Sequence, residues 1–143
     1  MKSFISKTLV MATVCVTIFS FVPNPGGEGF EISLNNKVVI QQYGNDMNNL
    51  KSLQLSQVSS DEKLTIRYHH CGKIGRNRVV TIKDEQNKLL KEFRYNDPAT
   101  PVGAMSLPVK DILRLKKGSS VTLKLYYSSS ELPGGRILAT IVI

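Results

Sequence analysis

The chain contains no tryptophan and only two cysteines, and its 11 acidic residues are outnumbered by 19 basic ones. Each shortage removes a class of protein. Without tryptophan, a sugar-stacking platform would have to be built from Tyr43, Tyr68, Tyr95, Tyr126 and Tyr127. Most of those rings are expected instead to close the ends of a core, with a hydroxyl reaching water. Two cysteines cannot supply the disulfide framework of a small stapled domain. The chain also lacks a phosphate-binding glycine loop, a G-x-S-x-G nucleophile elbow and an H-E-x-x-H zinc motif.

A long apolar run is missing too. Lys2 and Lys7 precede Thr8 to Val22, 15 residues without a charge. A spanning helix takes roughly 20 apolar residues, so this stretch reads as a signal peptide over residues 1–22. An uncleaved N-terminal anchor over residues 8–22 is the alternative. Residues 23–29, "PNPGGEG", break any helix and are expected to form a flexible linker into one domain over residues 30–143. The protein is therefore expected to be exported, to the periplasm or beyond the cell. Processing would leave Cys71 as the single thiol, expected to be buried as a small hydrophobe. It would also lower the charge from +8 to +6, with 17 basic residues against 11 acidic. A surface of that sign suits an anionic glycan, a lipid headgroup or a protein partner, and nucleic acid is the least natural match outside the cell.

What is present is period-two alternation. "FEISL" sets Phe30, Ile32 and Leu34 against Glu31 and Ser33, Asn35-Asn36 supplies a hairpin turn, and "KVVIQQY" returns. "SLQLS" is short and alternating, and "KLTIRYHH" opposes Leu64, Ile66 and Tyr68 to Thr65, Arg67 and His69. "RVVTIKD" and "KLLKEFRY" flank "EQN" as a second hairpin over residues 78–95. Met105, Leu107 and Val109 alternate, with Pro108 marking an edge or a strand end. "KDILRLKKG" is expected to make one helical turn capped by Asp111 and closed by Gly118. "SVTLKLYY" alternates again, "SSSELPGG" reads as a turn-rich loop, and "RILATIVI" is apolar enough for a central strand. About eight short strands without a long helix predict an all-β protein. The expected fold is an antiparallel β-sandwich of immunoglobulin-like, Greek-key type, with a small β-barrel as the alternative.

Three chemical readings converge on "YHHCGKIGRNR", residues 68–78. If the strand continues to Cys71, His69 and Cys71 share a face and lie roughly 6.5–7 Å apart, within reach of one copper or zinc ion. The remaining ligands would have to come from afar, from Asp61, Asp84 or Met105. The same two residues could form a Cys–His nucleophilic pair in a small hydrolase, though nothing nearby marks a group to orient the histidine. The third reading is an anion site at a basic loop. Lys73, Arg76 and Arg78, with Arg67 on the preceding strand, surround Gly72 and Gly75, whose flexible backbone lets N–H groups converge on an anion. The leading expectation is a non-enzymatic binding or adaptor module that contacts anionic groups through this loop. It requires no cofactor.

Overall fold

The computed structural model describes residues 27–143. The expected signal peptide and residues 23–26 of the expected linker lie outside the described residues. Strand β1, Glu28–Leu34, begins two residues before the expected domain boundary because Glu28 and Gly29 already pair with His70 and His69. It turns through Asn35 and Asn36, at φ 49° and 66°, into β2, Lys37–Tyr43. Positive φ at both positions matches the right-handed twist of the flanking strands, and asparagine tolerates it. Val39 is an extra residue on β2, since Ile32 faces Ile40 while Ser33 faces Val38.

A short 3-10 turn, Gly44–Asn48, leads to β3, Lys51–Gln54. Then come β4, Lys63–His70, β5, Arg78–Lys83, β6, Leu89–Tyr95, and β7, Met105–Pro108. Helix α1, Val109–Leu113, precedes β8, Thr122–Ser129, and β9, Leu132–Val142. The nine strands make two sheets, in the orders β2-β1-β4-β7 and β3-β9-β8-β5-β6. The chain crosses between them after β2, β3, β4, β6 and β7. Two separate sheets with repeated crossings define a β-sandwich rather than a closed barrel. One pair departs from the antiparallel expectation: β3 runs parallel to β9, Lys51 opposite Ala139 through Gln54 opposite Val142.

The inner faces are the alternating apolar positions. Phe30, Ile32, Leu64, Ile66, Val80, Ile82, Met105, Leu107, Leu123, Leu125 and Ile141 are fully enclosed. The apolar end of β9 lies between β3 and β8, which explains why both its faces tolerate isoleucine and valine. Pro108 sits at the end of the edge strand β7, where its missing N–H removes no ladder bond.

Two local readings are corrected. Pro108, not Asp111, precedes the helix, and Gly118, at φ 88°, lies in the following loop beyond the helix end. Pro133, Gly134 and Gly135 are inside β9 rather than in a loop. The β8–β9 turn needs only Ser130 and Glu131, and the register irregularity between Tyr127 and Ser129 absorbs the proline and glycines. Among the described residues no helix is long and apolar enough to cross a membrane.

Candidate functional site

Loop 71–77 is one of the crossovers, carrying the chain from β4 in one sheet to β5 in the other. β4 alternates as its sequence requires: Leu64, Ile66, Tyr68 and His70 face inward, while Thr65, Arg67 and His69 face outward. The strand stops at His70. Cys71 and Gly72, at φ 53° and 84°, form a two-residue turn that closes on a bridge between His70 and Lys73. The Lys73 N–H donates to the His70 carbonyl at 3.1 Å. Cys71 therefore projects from a turn instead of sharing the outer strand face with His69. Its thiol is exposed, which overturns the expectation of a buried small hydrophobe. The expectation failed because a left-handed residue at the strand end breaks the period-two count.

The rest of the loop is fastened to its surroundings by main-chain bonds. The Arg76 N–H donates to a Glu131 carboxylate oxygen at 2.9 Å, and the Arg76 carbonyl accepts from Ser130 N–H at 2.8 Å. The Asn77 N–H donates to Asp97 at 2.9 Å, and its side-chain amide donates to the Ser130 hydroxyl at 2.8 Å. Two of the N–H groups available to cradle an external anion thus already serve the protein's own carboxylates. Bonding to the Arg76 and Glu131 N–H groups and the Ser129 hydroxyl holds the Glu131 carboxyl below its usual range, against the opposing effect of desolvation.

The four basic candidates separate. Lys73 and Arg76 are exposed and have no ion-pair partner among the described residues. Arg67, on the outer face of β4, pairs with Glu31 at 3.5 Å. Arg78 is only 6% exposed. Its guanidinium donates to the carbonyls of Gly103 and Asn96 at 2.7 and 2.8 Å, tying β5 to the loop after β6. The signal for this was legible: Arg78 is in phase with Val80 and Ile82, and so points inward. Burial pushes the neighbouring Tyr95 hydroxyl up to about 12, with Arg78 opposing the shift.

His69 lies on the outer face with its ring edge toward Tyr43, 5.5 Å between centroids. Tyr43 in turn covers Gly29, where a Cβ would fall inside the tyrosine ring. Among the described residues no group of three or more histidine, cysteine or acidic side chains is placed to hold a metal ion.

Beneath the loop lies a polar cluster that none of the candidate residues from the sequence anticipates, apart from Arg78 at its margin. His70, 8% exposed, brings Nε2 to 2.8 Å from the Tyr127 hydroxyl and 3.4 Å from the Ser129 hydroxyl. Tyr127 stacks on Tyr68 at 4.4 Å, and Tyr68 donates its hydroxyl hydrogen to Glu28. Glu28 also pairs with Arg136 of β9 at 3.5 Å. Gly75 caps the cluster. A Cβ there would lie 2.9 Å from both His70 Nε2 and the Tyr127 oxygen, so no other residue fits without displacement. Desolvation lowers the His70 imidazole below its usual value; Glu131 and Glu28 oppose this, and Arg78 reinforces it. Burial raises Tyr68 and Tyr127 above the ordinary phenol value, Tyr68 well above it and additionally through its bond to Glu28. Tyr68 and Tyr127, and also Tyr95, which donates to the Ser106 carbonyl at 3.0 Å, thus direct their hydroxyls to protein partners rather than to water alone. The hint was the phase of Tyr127 and Ser129, which continue the buried series of Leu123 and Leu125.

An open groove of about 410 Å³ is lined by Thr81, Lys83, Tyr126, Tyr127, Ser128 and the Pro133–Gly135 bend among others. The Lys83 ammonium sits 4.4 Å above the Tyr126 ring, so that aromatic face already has a cation on it.

Fold and site together define a β-sandwich with a basic crossover loop braced on a buried histidine–tyrosine pair. No protein-family model matches the chain, and no curated protein matches it in sequence.

Proposed function

We propose that the protein is an exported, non-enzymatic binding module that contacts an anionic group through loop 72–78. One observation carries this reading. The main chain of the loop is held at several points to the sandwich, while Lys73 and Arg76 extend from it without ion-pair partners among the described residues. A fixed backbone reduces the conformational freedom lost on binding, and unpaired cations have no internal bond to break. Arg67 and Arg78 are less suited to the task, since one is ion-paired and the other is itself buried and donates to two main-chain carbonyls. The arginine can take a carboxylate, sulfate or phosphate in a two-pronged grip, and the lysine adds a point charge.

Retention on immobilised heparin across a salt gradient tests the proposal. Lys73→Ser and Arg76→Ser should elute earlier than the unaltered protein, and Arg67→Ser should elute with smaller change. Unchanged elution of the Lys73 and Arg76 variants overturns the assignment of the loop.

A further inference from the structure

Loop 71–77 rests on a titratable side chain that the binding proposal does not use. His70 ends β4 facing inward, and its ring is enclosed by Tyr68 of the same strand, Tyr127 and Ser129 of β8, and the backbone of Gly75. The charged groups facing this region are Glu28 of β1, Arg78 of β5, Glu131 of the β8–β9 turn and, through Glu28, Arg136 of β9.

We propose that His70 makes the contact loop responsive to protons: protonation of the imidazole in mild acid loosens residues 71–77 from the end of the sandwich. Its consequence for binding rests on the reading of that loop as the contact surface. The coupling itself requires only the geometry.

The neutral imidazole fits its place. One ring nitrogen shares a hydrogen with the Tyr127 hydroxyl, and the ring packs between aromatic faces. Protonation makes both nitrogens donors. The Tyr127 oxygen must then accept, and its own hydrogen must turn elsewhere, with the Ser129 hydroxyl the near group. The new charge is poorly housed in this enclosed cluster, where no carboxylate is hydrogen-bonded to the ring. Neither nearby carboxylate is free to serve. Glu28 is engaged by Tyr68 and Arg136, and Glu131 accepts the Arg76 N–H. Turning Glu131 toward His70 breaks a bond that holds the loop. Admitting water to Nε2 requires Gly75 to withdraw, because its backbone is packed against the ring. Either relief moves the segment carrying Lys73 and Arg76.

Proton and amide resonances followed by NMR from about pH 8 to about pH 5 test this in the unmodified chain. The amides of residues 72–76 should shift or broaden with the same midpoint as the His70 ring. His70→Gln should abolish that response, while His69→Gln, which removes the neighbouring outward-facing imidazole, should leave it intact. Two results overturn the coupling: a His70 ring that titrates while the loop amides stay still, or an identical loop response in His70→Gln. If that variant does not fold, agreement or disagreement of the midpoints in the unmodified chain decides the matter. Heparin retention is scored separately. A loop that follows His70 while Lys73→Ser and Arg76→Ser bind normally supports the coupling and overturns the binding surface. Lost retention without a loop response does the reverse.

Discussion

His70 of β4 and Tyr127 of β8 meet across the two sheets, with 2.8 Å between imidazole Nε2 and phenol oxygen, directly beneath Gly75 of the crossover loop. The bond joins the layers at the end of the sandwich where the apolar side chains give way to polar ones. It is one of the points, beside the bonds of Arg76 and Asn77, at which the loop meets the sandwich.

Tyr127→Phe keeps the stacking on Tyr68 but removes the hydroxyl. The buried His70 nitrogen then loses its nearest partner, and only the Ser129 hydroxyl at 3.4 Å remains. A loss of about 1–2 kcal/mol is expected in urea unfolding at neutral pH, the usual cost of stranding a buried polar atom. A loss indistinguishable from zero would mean that water or Ser129 replaces the bond fully.

Stability should decline as the solution is acidified below the ordinary histidine range. The sign follows from the folded state holding His70 below its usual value, 6.5. The unfolded chain takes up the proton first, so stability is intact above about pH 6.5. It falls as pH drops from there toward the lowered folded value, below which it levels off. Urea midpoints measured through this interval should show the slope, and His70→Gln should flatten it. Glu131 acts in a separate, lower window, because its folded carboxyl titrates below the usual carboxylate range.

The two arginines of "RNR" should behave oppositely. Arg78→Met removes the buried guanidinium and strips two part-buried carbonyls, on Gly103 and Asn96, of charged donors, and a cost of about 1–3 kcal/mol is expected. Arg76→Ser, at an exposed position, should change stability by about 0.5 kcal/mol or less while weakening heparin retention. Thermal melts of the two variants, run beside the elution assay, separate the structural arginine from the contact arginine.

Cys71 should react with a thiol reagent in the folded protein, in a chain carrying Cys15→Ser, at a rate that unfolding raises little. Its φ of 53° makes a second prediction. Asparagine or glycine should be accommodated there at no cost, whereas a β-branched Val should destabilise by about 1–2 kcal/mol. Slow labelling that becomes fast only in denaturant would show that the thiol is covered in solution.

Much of the architecture is written in alternation. Burial on one face of a pleated strand forces apolar residues to every second position, so "KLTIRYHH" discloses which side of β4 is inside without any tertiary knowledge. It also separates His69 from His70. The same count extended to "RVVTIK" places Arg78 inside. The Asn35-Asn36 turn was equally readable, because few residues accept two successive positive φ values. Gly72 signalled a turn nearby, but nothing local marked Cys71 as its first residue, since cysteine carries no such preference, and a strand continued to Cys71 remained consistent with the pattern.

The sequence by itself determined the class of fold, the extent of most strands and the inward phase of His70, Arg78 and Tyr127, through the fixed two-residue period of the pleat. Only the tertiary structure decided what those inward polar groups meet. Tyr127 and Arg136 lie 57 and 108 residues beyond His70 and Glu28, and their contacts arise from the stacking of two sheets. The same long-range contacts put Glu131 and Asp97 on the loop's N–H groups and leave Lys73 and Arg76 to the solvent. A residue's face is a local property of its strand. Its partner is set by how distant strands cross, and no periodicity encodes that.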